Sequence, residues 1–482
     1  MQEIRHFING EFVSSASDKR FDDINPATGE VVARVHEGGR EEIDQAVKAA
    51  RAAMQGPWGT MPVDERMALL QRLAAGIQAR GEEFAQAESA DNGMPINLAR
   101  HADVPRGSAN FVQFAEHFKY VATECWEMHG ALNYALRRPL GVVGIISPWN
   151  FPLLLTTWKV APALACGNAI IIKPSEETPA TAALLADVAK DILPPGVLNV
   201  VHGFGEDSAG AYLTEHPDVD GITFTGEVST GKVIMQAASK NLKKLSFELG
   251  GKNPNIIFAD ADLDACVETT LRSSFANQGE VCLCGSRIYV ERPLFETFVE
   301  KLHDAVRTHV RVGDPADEQT TLGALISREH LARVQTFIDS AHEDGATFVC
   351  GGKRPEGLPA HLENGAFLEP TIITGLGRDC HAQRNEIFGP VVTVTPFDTE
   401  DEVVELANDT EYGLSATVWT QDITRAHRVV GRLEAGIIWV NTWFLRDLRT
   451  PFGGMKESGI GREGGVHSLE FYSELKNVCV KL

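Results

Sequence analysis

Cys282 stands in the run Asn277-Gln278-Gly279-Glu280-Val281-Cys282-Leu283-Cys284-Gly285-Ser286-Arg287. A helix-like segment, Asp262 to Phe275, leads into this run, and the apolar Ile288-Tyr289-Val290 after it reads as a strand. A thiol on a short connection between two rigid elements can be presented to a cleft, which suits nucleophilic attack. Buried small hydrophobe is the ordinary fate of a free cysteine, and position alone leaves both readings open. A metal clamp is the weaker reading: Cys-x-Cys needs two more ligands at recognisable spacing and none follow, so no metal site is expected. Glu248 is the second chemical residue. It ends an apolar strand and is followed by Gly250-Gly251, which leave room for water or a cofactor. A carboxylate so placed acquires a raised pKa and can act as a general base. The bland alternative is a salt bridge to Lys252.

These residues need rigid elements around them. Asn9-Gly10 between two apolar arms signals a hairpin. Amphipathic spacing predicts helices near 41–54, 63–80 and 106–121. From residue 133 the pattern changes to short apolar runs alternating with helices: 141–147, 169–172, 197–201, 221–224 and 244–247. A second such series starts at Asn255 and includes a long helix near 294–312 and strands near 391–397 and 436–441. Strands alternating with helices imply a doubly wound parallel α/β sheet, here twice. The domain boundary falls near Gly250-Gly251. The final segment, residues 474–482, alternates like a strand that must pair with something.

The 482 residues exceed one simple core, and 43% apolar with 23% charged residues is the balance of a soluble globular enzyme. A net charge of −22 argues against nucleic acid or an anionic membrane as partner. Eight scattered cysteines and no signal-like start predict reduced thiols and a cytoplasmic protein. The most apolar stretch, residues 142–172, is too broken by prolines and polar residues to span a bilayer.

The cysteine run resembles the active-site motif of the aldehyde dehydrogenase superfamily. Phe247-Glu248-Leu249-Gly250-Gly251-Lys252 resembles that family's glutamate motif. Pro148-Trp149-Asn150-Phe151-Pro152, Lys173-Pro174-Ser175-Glu176, Phe224-Thr225-Gly226, Glu386-Ile387-Phe388-Gly389-Pro390 and Pro451-Phe452-Gly453-Gly454 match in the family's order, from near residue 140 to the C-terminus. The resemblance implies a Rossmann-type NAD-binding domain (residues 1–119 and 140–250), an α/β catalytic domain (251–456) and a small β oligomerisation arm (120–139 and 466–482) that builds a homodimer or homotetramer. It makes Cys282 the nucleophile, Glu248 the base that hydrolyses a thioester, and Asn150 an oxyanion donor. Turn capping is the plain alternative for Asn150. Intact Glu248 argues against transfer of the acyl group to coenzyme A, which needs no hydrolytic base, and the full set argues against a non-catalytic binding protein.

No Gly-x-Gly-x-x-Gly follows a strand in the first series. The resemblance instead places NAD against Trp149, Lys173, Ser175, Glu176, Phe224, Gly226, Leu249, Glu386 and Phe388. Glu176 would accept from ribose hydroxyls and repel a 2′-phosphate, which favours NAD over NADP. Glu227 departs from the family, which often has Ser there. An acid pointing inward beside a diphosphate is unfavourable. For the aldehyde substrate, the resemblance implies apolar walls at Phe151, Leu155, Trp158 and Phe452, with Arg446 and Arg100 to bind a carboxylate; Arg449 and Arg106 compete for that role. Surface ion pairing is the usual alternative for such arginines. These features look most like the muconic semialdehyde branch of the family, on its 2-aminomuconate side more than its 2-hydroxymuconate side. A neutral or aromatic aldehyde is the alternative substrate.

Overall fold

The computed structural model describes residues 2–482. Its first sheet has eight strands, ordered Gly459–Ile460, Lys244–Glu248, Gly221–Thr225, Val142–Ile146, Ala169–Lys173, Leu198–Val200, His6–Ile8 and Glu11–Val13. The middle five run parallel. Their Ile- and Val-rich sequences are buried on both faces, as helices on either side of a parallel sheet require. The expected N-terminal hairpin forms one edge, with Asn9 and Gly10 both at positive φ.

The second sheet has seven strands in the order Thr347–Cys350, Thr371–Thr374, Val391–Phe397, Arg287–Glu291, Pro254–Ile257, Ser415–Trp419 and Ile437–Val440. All but the first pair in parallel. The first sheet sends the C-terminal ends of its parallel strands, where open α/β sheets bind ligands, toward the segment between Glu248 and Pro254, and the second sheet begins its strands there. A separate three-stranded sheet joins Ser473–Lys481, Ala131–Pro139 and Cys125–Met128. The tail strand therefore pairs with residues 131–139 of its own chain along its whole length.

The helices Arg40–Gln55, Val63–Ala79 and Val104–Phe118 occupy the stretches that periodicity predicts. The helix Pro152–Ala165 lies buried under the first sheet with its apolar residues all round. It carries one charge inward, Lys159. Among the described residues no helix is long and apolar enough to cross a membrane. All eight cysteines are free thiols.

Candidate active site

The helix Leu263–Phe275 starts on Asp262, whose carboxylate accepts from the Ala265 N–H. It ends in a turn where Asn277, Gln278 and Gly279 take positive φ of 47°, 56° and 73°. Left-handed conformation at two buried non-glycine residues is costly and persists only when neighbours enforce it. Here they do. The Asn277 amide donates to the Asn150 carbonyl at 2.7 Å. A Cβ on Gly279 would run into the Gly389 carbonyl, so the cysteine turn packs directly on the Glu386–Pro390 motif. Beyond the turn, Asn253 Nδ2 donates to the Cys282 and Cys284 carbonyls at 2.7 and 2.8 Å. The Trp443 indole N–H donates to the Leu283 carbonyl at 3.0 Å. The backbone that carries Cys282 is thus held from several sides. Its thiol is half-buried and reaches the inner end of a cleft. Burial, then the Glu386 and Glu248 carboxyls, push its pKa above the ordinary thiol value. Cys284 is fully packed in the apolar cluster behind it.

Asn150 shares that end of the cleft. Its Nδ2 donates one hydrogen to the Glu280 carbonyl at 2.9 Å. A primary amide has a second, which stays available to an oxyanion. Glu248 ends its strand with both carboxylate oxygens buried and without a hydrogen-bond partner. Burial, then the Glu463 carboxylate, raise its pKa well above the usual range; Lys159, Arg446 and Arg462 pull the other way. No salt bridge to Lys252 forms. That ammonium donates instead to the Ala382 carbonyl at 2.8 Å. Lys159 and Glu463 form a buried ion pair at 2.6 Å, the charges that set the field at Glu248. Sequence reading missed both partners, which lie 304 residues apart. The one available signal was a lysine inside an apolar helix.

The cleft has a volume of about 340 Å³. Trp149, Gly226, Leu249, Glu386 and Phe388 line it. Glu386 accepts from the Gly251 N–H at 2.9 Å, and burial pushes its pKa up to about 7. Gly250 is needed for this approach, since a Cβ there would strike the Glu386 carboxylate. Lys173 donates to Glu176 at 2.8 Å. Ser175 is buried beside them, and Glu177, next in the chain, lines the cleft. Phe224 does not face the cleft. Its ring packs into the core against Phe247, 6.0 Å between centroids, because the strand is buried on both sides and Thr225 and Gly226 reach the rim instead. His330 was not foreseen. It packs edge-on between Trp149 and Phe388, and burial lowers its pKa to about 4, so it is a neutral ring. The lining fits a dinucleotide: aromatic and apolar walls, buried carboxylates able to accept from ribose hydroxyls, and backbone held open by glycine.

On the apolar side of Cys282, Phe452 and Phe151 join the cluster that contains the thiol. The Arg446 guanidinium lies over Phe452 at 3.8 Å and over Trp158 at 4.4 Å. Its Nε and Nη2 are buried and have no partner. Burial, then Arg106, lower its pKa to about 9, which leaves it charged at neutral pH. Arg106 sits over the same Trp158 at 5.5 Å and donates to Asn110. Arg100 corrects the expectation. It pairs with Glu82 at 2.9 Å and Glu318 at 3.1 Å on the surface, because its helical register turns it away from Trp158. Arg449 is likewise spent on Asp447 at 2.6 Å, in solvent.

Few chemistries need a thiol and a buried carboxylic acid with an apolar pocket on one side and an elongated cleft on the other. Oxidation of an aldehyde through a thioester does, and the two-sheet fold is that of cysteine-dependent aldehyde oxidoreductases. The chain belongs to the aldehyde dehydrogenase family, whose pattern it matches over residues 12–478. A 2-hydroxymuconic semialdehyde dehydrogenase of Pseudomonas sp. (strain CF600) is 60% identical, with all of both chains covered. A 2-aminomuconic 6-semialdehyde dehydrogenase of Pseudomonas sp. is 51% identical over 100% of this chain and 99% of the other. This order runs against the 2-aminomuconate lean of the residue pattern. The NAD+ complex of an aldehyde dehydrogenase from Bacillus cereus has a TM-score of 0.96 at 42% identity, covering 100% of this chain and 97% of that one.

Proposed function

We propose that this enzyme oxidises a carboxylate-bearing semialdehyde of the 2-hydroxymuconic or 2-aminomuconic kind to the dicarboxylic acid, with NAD as acceptor. We read the region around the first sheet as the dinucleotide-binding domain and that around the second as the catalytic one. NAD, when bound, supplies a two-electron acceptor for hydride. Lys173 and Glu176 would hold the adenosine ribose, and Glu386 the other ribose. Glu176 as an acceptor disfavours a 2′-phosphate.

The Cys282 sulfur adds to the aldehyde carbon as its proton is given up to solvent water. The carbonyl oxygen becomes an oxyanion, met by the free N–H of Asn150 and the Cys282 backbone N–H. Collapse of that oxyanion re-forms the C=O bond and expels hydride, leaving a thioester on Cys282. Glu248 then takes a proton from water as it attacks the thioester carbon, and the thiol leaves with the proton restored. Acid and free thiol result.

One observation carries the substrate class: a buried guanidinium beside the thiol, stacked on two aromatic rings, with two N–H-bearing nitrogens unsatisfied. Burying a charge without a partner is costly, and a carboxylate is the group that repays it bidentately. Arg106 on the same tryptophan adds positive field. The test is a panel of 2-hydroxymuconic and 2-aminomuconic semialdehydes against neutral aldehydes, with wild type and Arg446→Ala. Loss of the contact should cost about 2–4 kcal/mol, roughly 30- to 1,000-fold in kcat/KM, on the acid-bearing substrates only. Equal losses on benzaldehyde would mean that Arg446 holds the loop rather than the substrate.

A further inference from the structure

The cleft assigned above to the dinucleotide is short of positive charge. Among the described residues that line it, the carboxyl side chains are Glu177, Glu227, Glu329 and Glu386, and the one permanent cation is Arg333. His330 is neutral, and the nearby Lys173 is bound to Glu176. A diphosphate carries two negative charges, so Arg333 is the natural counter-charge from side chains. Yet Arg333 is engaged: its Nη2 lies 3.4 Å from Glu227 Oε1.

Glu227 occupies the N-cap position of the helix Val228–Ala238, directly after Gly226. Residues at that position ordinarily turn a side-chain oxygen back onto the first turn. Glu227 makes no such bond and reaches across the cleft to the helix Arg328–Glu343 instead. The pair joins the two sides of the cleft. With the side chains 48% and 54% exposed, it has little worth as a stabilising contact. Its position is what gives it meaning. The N–H groups that open the helix are a ready anion site, and a fixed carboxylate at the same spot opposes an incoming phosphate unless something holds it aside.

We propose that Glu227 is a built-in competitor for the cofactor phosphates: in the free enzyme its carboxylate occupies Arg333, and binding of the dinucleotide exchanges that carboxylate for the diphosphate. The inference rests on the NAD reading. It gives the departure at Glu227 a purpose. Part of the attraction of Arg333 for the cofactor is used to displace Glu227, so the cofactor is held more loosely and leaves faster than the same cleft with a neutral residue would allow.

The test measures binding rather than turnover. NAD and NADH dissociation constants, and the NADH release rate followed by its own fluorescence, are compared in wild type, Glu227→Gln, Arg333→Gln and the double variant. Adenosine, which has no phosphate, serves as control. Glu227→Gln should tighten NADH by about 5- to 10-fold, mostly through slower release, and Arg333→Gln should weaken it by about as much. In the Arg333→Gln background, Glu227→Gln should gain no more than about twofold, because no guanidinium remains to be freed. An equal gain in both backgrounds would overturn the exchange in favour of plain repulsion. Unchanged or weaker binding in Glu227→Gln would make the pair a strut between the two sides. Adenosine shifting in parallel with NADH would also overturn it. If the wild type binds no NAD at all, the NAD reading itself falls.

Discussion

Cys282 and Glu248 face the same difficulty: both are wanted as anions and both sit where anions are disfavoured. Burial dominates in each case, and the Glu248 carboxyl adds to the rise at Cys282. Both shifts favour the thiol and the carboxylic acid over the thiolate and the carboxylate, and a neutral thiol is the less easily oxidised form. Glu248 must lose its proton before it can activate water, and the buried Lys159–Glu463 pair is the polar material next to it. This fixes a pH sense. Hydrolysis of the thioester should speed up as pH rises through the raised Glu248 pKa. Glu248→Ala should flatten that rise, permit one round of NADH formation, and lower the steady-state rate by about 10²–10⁴-fold. Mass spectrometry after substrate and NAD should then find the acyl group on Cys282. A normal steady-state rate with no adduct would remove Glu248 from the mechanism. The same raised pKa bears on stability. Protonated Glu248 favours the folded state fully below the ordinary carboxyl pKa, and that contribution is lost as pH rises through the folded value.

The helix Pro152–Ala165 is the element on which the site depends, because it begins two residues after Asn150 and carries Trp158 and Lys159. Pro152 has no N–H to satisfy, and the next two N–H groups go to side chains from elsewhere. Leu153 donates to Glu88 at 3.2 Å and Leu154 donates to Asp103 at 2.9 Å. Burial raises the pKa of both carboxyls, that of Asp103 to about 7, and the Asp103 charge adds to the rise at Glu88. Glu88→Ala should orphan a buried N–H and cost about 1–3 kcal/mol, a fall in Tm of a few degrees for a chain of this size. It should also lower kcat, as Asn150 loses its fixed place. Glu88→Gln keeps a donor and an acceptor and should restore both; if it fails alongside Glu88→Ala, the capping account is wrong. The sequence made the helix itself plain through its apolar run, but not its cap, which is built by tertiary contacts 51 and 65 residues away. The strand Gly459–Ile460 was invisible for a similar reason: two residues form it, and only the edge beside Glu248 makes them a strand. The arginines were separable in principle. Six positions on a regular helix rotate a side chain by about 240°, so Arg100 and Arg106 cannot both face Trp158. The wide turn Ala99–Asp103 between them alters the angle further, and nothing in its sequence announces it.

At the scale of the molecule, the catalytic parts lie between two sheets while the arm stands apart from both. Its strand order leaves Ser473–Lys481 and Cys125–Met128 as its two outer strands. Register sorts its side chains. Trp126, Met128 and Leu475 pair with Asn133, Ala131 and Arg137, which alternate onto a single face of the central strand. All three are large and apolar, and they are 49%, 56% and 58% exposed. Three large exposed apolar side chains on one face, set among Asn133, Arg137 and Asn477, mark a candidate association site. A second copy of the chain is the partner we propose, through isologous contact of this face or through its open strand edges. Because the tail strand already pairs fully with residues 131–139, deleting everything after Glu474 would uncover a further edge and confound loss of assembly with loss of folding. The sharper test is Trp126→Asp with Leu475→Asp, which leaves every ladder hydrogen bond in place. Light scattering should show the native oligomer of the wild type falling to monomers, with the circular dichroism spectrum unchanged and cofactor binding retained. A double variant that keeps the native mass would show that the arm face is not where subunits meet.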